Sequence, residues 1–314
     1  MRSQAQQVIS TPQPEKVQAP QQDVELAKAS LPIEQRPDPA PKRDVDDLWN
    51  AIKPPNRTGD GRDPGQGWGT QVRPSAEGDW DHRVRQWDRD WVQYDEYYRP
   101  VICNPYRDAL RVAYIYQGAP RIVVIPPLAS IAMEVADYGA YNFTAVLLNA
   151  FGAAVNVAVG SFFGGGYDPG PGLPLPPPPP PVTYYDNIPV VVRYGGDTYQ
   201  PFMVSRIVDA GDDARYGERK VLLDGVTPAW GVWTQTDTGQ RQFEVHKTQQ
   251  FPGLDDPQQA PLPGDYPLRL ASDSSSSGFS TRDVSLIAGA AAVGTLILAA
   301  AGVHIFRRLS GRLH

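Results

Sequence analysis

The chain has 314 residues, a formal net charge of −6, 33 prolines and one cysteine. Its length allows one or two domains, and a single cysteine excludes a disulfide within the chain. Nucleic-acid binding is not expected, because it requires a basic surface. The sequence contains no G-x-S-x-G, no H-E-x-x-H and no zinc-site spacing. No catalytic residue, cofactor or metal site is therefore predicted, and the chain is not expected to be an enzyme.

Residues 1–78 are rich in proline, glutamine and charged residues. This composition buries too little apolar surface to offset the entropy lost on ordering, so we predict a disordered Pro/Gln-rich arm. Residues 23–30 and 44–52 are candidates for short helices within the arm. The N-terminus shows no apolar run of the kind found in signal peptides.

Residues 79–100 carry a stripe of large side chains with spacings of four and three. This period predicts a helix that Asp79 caps and Pro100 ends. The stripe consists of Trp80, Val84, Trp87, Trp91, Tyr94 and Tyr98. Such a face either packs on a sheet or contacts a partner, a carbohydrate or a membrane surface. Trp80, Trp87 and Trp91 are therefore candidate binding residues.

The helix and the residues up to 166 are predicted to form one module. Runs of β-branched and aromatic residues at 111–116, 121–125 and 130–135 predict strands. Residues 101–113 also align without gaps with 146–158, which predicts two related hairpins in a β-sandwich-like module over 79–166.

Two further features of this module bear on its chemistry. Residues 138–167 contain no charged residue, so a membrane-inserted segment is an alternative to strands there. Cys103 lies among apolar neighbours with no histidine near it in sequence, which indicates a buried hydrophobe rather than a nucleophile.

Residues 167–182 form a Gly/Pro-rich linker, in which the prolines of 176–181 predict a polyproline II rod. A second β module is predicted over 183–252. Its strands are expected at 188–194, 201–208, 220–224, 231–235 and 241–246, with a hairpin turn at 236–239.

This second module contains the other candidate binding residues, Trp230 and Trp233, on either side of Gly231. Four of its acidic residues cluster in a loop with two glycines that could bind Ca²⁺, but their spacing matches no EF-hand, so no metal is assigned to them. These acidic residues are Asp209, Asp212, Asp213 and Glu218.

Residues 253–283 indicate a flexible Ser/Pro stalk, residues 284–306 a transmembrane helix, and residues 307–314 a cytoplasmic tail. The 284–306 segment has no Asp, Glu, Lys or Arg and is long enough to cross a bilayer. The arginines that follow it predict a cytoplasmic C-terminus and an extracytoplasmic N-terminal region. Its small-residue face, with Gly289 and Gly294, is a candidate homodimer contact.

Three segments, YYRPVICNPY (97–106), FFGGGYDPG (162–170) and KVLLDGVTPAWG (220–231), carry a resemblance. They resemble proline-rich single-span membrane proteins of mycobacteria and related actinobacteria. The resemblance extends over residues 79–308. It implies a cell-envelope setting but assigns no activity and no functional residue.

The sequence therefore predicts a mainly β protein anchored in the cell membrane by a single span. Its expected function is non-catalytic: its β modules would bind an envelope protein or a wall polymer through Trp80, Trp87, Trp91, Trp230 and Trp233. One alternative is an envelope hydrolase, because glycosidase carboxylates need no sequence motif. A second alternative, which depends on topology, is a tail-anchored cytoplasmic scaffold.

Overall fold

The computed structural model describes residues 8–10, 13–36, 38–52 and 84–271. Its helices are α1 (Gln21–Ala29) and α2 (Lys42–Ile52), with one 3₁₀ turn at Arg89–Trp91. The strands of the N-terminal part are β1 (Ile33–Gln35), β2 (Arg85–Gln86), β3 (Val92–Tyr94), β4 (Pro100–Cys103), β5 (Leu110–Tyr116), β6 (Ala119–Ile125), β7 (Ser130–Met133), β8 (Val135–Leu148) and β9 (Ala154–Gly166). Those of the C-terminal part are β10 (Thr183–Tyr194), β11 (Asp197–Thr198), β12 (Phe202–Asp213), β13 (Glu218–Leu223), β14 (Thr227–Gln235) and β15 (Arg241–Thr248). The described residues are therefore mainly β, as predicted.

The strands of the N-terminal part form two sheets that share one core. One sheet has the order β1-β7-β4-β3, and the other has the order β2-β9-β8-β5-β6. Both sheets contribute buried apolar side chains to a single cluster. This cluster contains, among others, Ile102, Tyr114, Ile131 and Phe143. The arrangement is consistent with a β-sandwich-like module, and the three strands predicted between 111 and 135 are confirmed.

The uncharged stretch 138–167 is extended, because it lies mostly in β8 and β9. These strands form one antiparallel hairpin whose pairing continues from Leu148 opposite Ala154 to Val135 opposite Gly166. The membrane-inserted alternative for this stretch is wrong. Many of its apolar residues instead lie in the core, where Phe143 and Phe162 stack with ring centroids 6.1 Å apart.

The helix predicted over 79–100 is wrong for its described part, residues 84–100. The chain there forms β2, a single 3₁₀ turn and β3. Residues 85–86 pair in parallel with β9, and the Trp87 amide donates to the Val159 carbonyl at 2.7 Å. These sheet hydrogen bonds outweigh local helix propensity, and Val84, Trp87 and Trp91 are buried in the core without a helix.

The disordered arm predicted over 1–78 is corrected where the structure describes it. The two short helices are confirmed as α1 and α2. They bury Val24, Ala27, Leu48 and Ile52. Composition averages over the whole segment, whereas a few apolar side chains are enough to dock a helix on an existing core.

The strands of the C-terminal part form a closed barrel. The order is β10-β12-β13-β14-β15, and β15 pairs back with β10, while the short β11 extends β10 at one edge. All five predicted strands of this module are confirmed. So is the turn at 236–239, where the Thr236 amide donates to the Gln240 carbonyl at 2.8 Å.

The two β modules pack directly on each other. Ser161 Oγ donates to the Gly225 carbonyl at 2.7 Å, and Thr144 Oγ1 donates to the Pro252 carbonyl at 2.8 Å. The linker 167–182 contains no helix or strand, and the Pro180 carbonyl accepts a hydrogen bond from Tyr138. The rod predicted over 176–181 therefore does not hold the two modules apart.

The stalk predicted over 253–283 is also corrected in its described part, residues 253–271. Leu262 and Tyr266 are buried, and residues 248 and 258 form an antiparallel bridge. The predicted span 284–306 and tail 307–314 lie outside the described residues. Among the described residues, no helix is long and apolar enough to cross a membrane.

Candidate binding site at the barrel end

One end of the barrel carries aromatic and charged side chains that we call the barrel-end cluster. Its members are Tyr185, Asp209, Arg219, Trp233 and Arg241. Trp233 faces inward, because it lies opposite Phe243, whose side chain is fully buried. The Trp233 ring meets the rings of Tyr185 and Phe243 edge-on, each with a centroid separation of 5.0 Å. Strands β10, β14 and β15 thus hold these rings on a rigid support.

Asp209 holds the polar side of the cluster in place. Its side chain is 3% exposed and accepts a hydrogen bond from Arg219 Nε at 2.8 Å. It also accepts one from Trp233 Nε1 at 3.2 Å, which fixes the orientation of the indole. Arg219 donates in addition to Asp212 at 2.9 Å, and hydrogen bonds to Asp209 and then Asp212 raise the pKa of Arg219.

Arg241 covers the partly exposed rings of Tyr185 and Trp233. Its Cζ lies 4.4 Å from the ring centroid of Tyr185 and 5.5 Å from that of Trp233. The residue is exposed and makes no ion pair within the part of the chain that the structure describes. A guanidinium stacked on aromatic rings keeps its N–H donors available for an incoming carboxylate or phosphate. The barrel-end cluster can therefore bind an anionic group beside an aromatic surface.

The tryptophans predicted as contacts have different environments. Trp87, Trp91 and Trp230 are 1%, 5% and 2% exposed, so they are core residues and the prediction that they bind a partner is corrected. Only Trp233 is partly exposed, and Trp80 lies outside the described residues. Trp87 and Trp91 pack edge-on at 5.1 Å on the core that β8 and β9 build.

Trp230 and Trp233 lie on opposite sides of β14. Side chains alternate along a strand, so an offset of three residues places them on different faces. Trp230 points out of the barrel, where its Nε1 donates to Asp213 at 2.8 Å and the Lys220 ammonium lies 5.5 Å from its ring. Sequence reasoning missed Tyr185 and Arg241, because their contact depends on the barrel's closure.

A polar cleft of about 340 Å³ is the second candidate site. It is lined by Asp88, Asp90, Asp186 and Asp224 together with Lys16, Arg89 and Arg206, among others. Most of these carboxylates have structural partners. Asp186 pairs with Arg206 at 2.7 Å, and Asp224 accepts from the Tyr266 hydroxyl at 2.7 Å. Asp88 accepts from the Asp90 amide at 3.0 Å.

Two other features that the sequence singled out, Cys103 and the acidic loop residues, have structural rather than chemical roles. Cys103 is buried, and burial raises the pKa of its thiol to about 11, so little thiolate forms at neutral pH. The acidic loop residues are engaged by Arg219, Trp230 and His246. Among the described residues, no group of three or more His, Cys, Asp or Glu is placed to hold a metal ion.

No family model, curated protein or solved structure matches the chain, so its function has to be argued from these sites.

Proposed function

We propose that the chain is a non-catalytic binding protein of the cell envelope, whose barrel end engages an anionic wall polymer. The single observation that carries this proposal is the stacking of Arg241 on Tyr185 and Trp233. Aromatic residues and arginine dominate the energetics of binding surfaces, and here they lie together on strands. The ligand group expected is a carboxylate or a phosphodiester next to a ring or sugar face.

The rigidity of the cluster supports a binding role. Asp209 orients the Trp233 indole through a hydrogen bond, and the Trp233 ring packs on the buried Phe243. A ligand would therefore meet side chains that have already lost their rotamer freedom, which lowers the entropic cost of association.

The polar cleft supports the rival hydrolase less well. A glycosidase needs one carboxylic acid and one carboxylate that are free to act on a bond. Asp186 and Asp224 instead hold Arg206 and Tyr266 in place. These two carboxylates of the cleft thus have structural roles, and binding remains the proposed function.

Binding is tested by co-sedimentation of the full chain with purified insoluble actinobacterial wall polymer. We expect Arg241→Gln to weaken binding by about tenfold, the effect of losing one charge-assisted contact. Arg215→Gln is the matched control, because Arg215 also lies over a tyrosine ring, at 5.2 Å, but pairs with Asp256 outside the cluster. Capping the polymer's carboxylates with a carbodiimide tests which anion is bound, because it would abolish binding to carboxylates and leave binding to phosphodiesters.

The result that would overturn the proposal is equal binding by both variants, or no sedimentation of the chain with the polymer. In the first case the arginine is not a contact, and in the second the polymer is not the ligand.

The envelope setting rests on the predicted span 284–306 and on the arginines after it. We therefore expect an extracytoplasmic N-terminal region, with homodimerisation through the span as an additional possibility. A cysteine placed at Ser275 in a Cys103→Ala chain should react with a membrane-impermeant maleimide in intact cells. Labelling only after lysis would favour the tail-anchored cytoplasmic scaffold instead.

A further inference from the structure

Strand β6 forms one edge of the five-stranded sheet. The hairpin that joins β6 to β5 determines which backbone groups of β6 point away from the sheet. Gln117 and Gly118 both have positive φ, at 50° and 73°, which is the type I′ turn of a two-residue hairpin loop. Tyr116 and Ala119, which flank this turn, therefore exchange hydrogen bonds with each other. The hydrogen-bonded pairs with β5 recur at every second residue from Ala119 onward. The residues between them, beginning with Pro120, point their backbone groups away from β5.

The outward-pointing residues of β6 are Pro120, Ile122 and Val124. A contact outside the hairpin confirms this register, because the Pro120 carbonyl accepts a hydrogen bond from the Ala40 amide at 2.9 Å. Proline also suits an outward position on an edge, where no ladder donor is needed.

The backbone groups of Ile122 and Val124 have no strand partner within the described part of the chain. The Val124 side chain is 47% exposed. Edge strands are usually protected by an outward charge, a bulge or a covering segment, because an open edge is a template for another strand. Beyond Pro120, none of these protections lies on the open side of β6 within the described residues.

An open groove of about 690 Å³ begins at this edge and extends across one face of the sheet to Leu148 of β8. One wall is the α2 face with Asp44, Asp47, Leu48 and Ala51, and the segment 39–41 contributes to the groove as well. Its sheet side includes Ile122, Val124 and Leu148. Ala40 already lies against the strand at one end of the groove, so an extended chain is compatible with this edge.

The charge of the groove indicates what would occupy it. Asp44 lies on the α2 wall and Asp38 on the approach to it, and neither makes an ion pair within the described residues. Asp47 has only a 3.6 Å contact with Arg43. Arg36 is balanced by Glu134. The α2 side of the groove is therefore acidic, while its sheet side is apolar apart from Arg111, which lies opposite Val124 on β5.

We propose that β6 is a docking edge for an extended peptide segment of a partner protein. The segment adds as a strand to Ile122 and Val124, places alternate β-branched side chains on the sheet side, and directs a lysine or arginine toward Asp44. Main-chain hydrogen bonds supply affinity in this mode, and the alternating side chains supply specificity. The site is separate from the barrel-end cluster and does not depend on the function proposed for it.

The test uses pooled synthetic peptides of about eight residues, the length of an ordinary strand. One pool alternates valine, isoleucine or threonine with polar residues and carries one lysine, and the matched pool carries glutamate in its place. We measure retention on the immobilised full chain and hydrogen exchange of residues 119–125 with and without peptide. The lysine pool should be retained preferentially, and exchange at Ile122 and Val124 should slow.

Three variants make the test specific. Val124→Pro removes one outward donor and no β5–β6 hydrogen bond, whereas Val124→Thr keeps the donor and the β-branched shape. We expect about tenfold weaker retention by Val124→Pro than by Val124→Thr. Asp44→Lys, on the exposed helix wall, should reverse the preference between the two pools even if Val124→Pro folds poorly.

Three results would overturn the proposal. They are retention of neither pool, unchanged exchange at Ile122 and Val124 with bound peptide, and equal retention by the Val124→Pro and Val124→Thr variants in their folded state. Protection of β6 that rises with protein concentration, without peptide, would instead identify a second copy of the chain as the occupant.

Discussion

Asn104 and Asn149 make the same contact in two different turns. The Oδ1 atom of Asn104 accepts the Tyr106 amide at 3.0 Å, and that of Asn149 accepts the Phe151 amide at 2.9 Å. Each asparagine thus forms a turn in which its side chain binds the backbone two residues later. The two residues occupy equivalent positions in the internal repeat 101–113 and 146–158, so the repeat preserves this turn.

The two turns differ in burial, which leads to the first prediction. Asn104 is fully buried, and its Nδ2 donates to the carbonyls of Asp108, Ile125 and Pro126, whereas Asn149 lies in an exposed turn. Asn104→Ala should lower the free energy of unfolding by about 2–4 kcal/mol, because it leaves buried carbonyls unpaired. Asn149→Ala should cost about 1 kcal/mol or less. Urea unfolding followed by tryptophan fluorescence compares them, and equal losses would contradict the prediction.

The repeat also shows how far sequence reasoning reached. Strand, turn and strand are correct in both copies, because β-branched runs and an asparagine turn are local signals. Only the second copy is a hairpin, since β4 and β5 belong to different sheets. Which strands pair depends on contacts distant in sequence, and a local pattern does not contain them.

The same limit explains the errors near Trp87 and Trp233. The spacing of four from Trp87 to Trp91 and of three from Trp91 to Tyr94 is compatible with a helix, but the pairing of β2 with β9 determines the backbone conformation. Trp233 was among the candidates, but its partners Tyr185 and Arg241 come from other strands. Individual strands were therefore predictable from sequence, and the composition of the barrel-end cluster was not.

The second prediction concerns the buried carboxylate of the barrel-end cluster. Asp209→Asn removes the charge that pairs with Arg219. The Arg219 guanidinium then lies beside a neutral amide, of which only the oxygen can accept its hydrogen bonds. We expect a loss of about 1–3 kcal/mol in the free energy of unfolding, since a charged hydrogen bond is broken at a buried position. Asp256→Asn is the matched control, because Asp256 pairs with Arg215 at the surface and should change stability by less than about 0.5 kcal/mol. Comparable losses in urea unfolding would refute the structural role of Asp209.

The third prediction concerns the close approach of β14 and β15 at Gly231, beside a bulge in β15. A Cβ at Gly231 would collide with the Glu244 carbonyl oxygen of β15, which is backbone and has no room to move. Gly231→Ala should therefore separate β14 from β15 and lower the free energy of unfolding by about 2 kcal/mol or more. Gly196→Ala, in a turn where a Cβ meets nothing within 4 Å, is the control and should be neutral. If thermal unfolding shows the two variants to be alike, the close approach of these strands is wrong.

The last prediction is a pH dependence centred on His246. Its Nδ1 lies 2.7 Å from Glu218 and its Nε2 lies 3.0 Å from Glu244, so both ring nitrogens face carboxylates. Lys247 and Arg193 are the cations that pair with the same two carboxylates. Burial alone would lower the pKa of His246, but the hydrogen bonds to Glu244 and Glu218 raise it overall.

The sign of the effect follows from this direction. A pKa raised above the unfolded value of about 6.5 means that the folded chain binds the proton more tightly. The resulting stabilisation is complete below about pH 6.5 and is lost as pH rises through the folded-state pKa. It should amount to at most about 1 kcal/mol, because the side chain is partly exposed and solvent screens the pairs.

Asp255, whose pKa burial raises to about 7, titrates in the same range, so the chain has to be compared with His246→Gln. In urea unfolding between about pH 5 and 9, the stability advantage of the unmodified chain over this variant should shrink as pH increases. An advantage that is constant or grows with pH would show that His246 is not held as an imidazolium between the two glutamates.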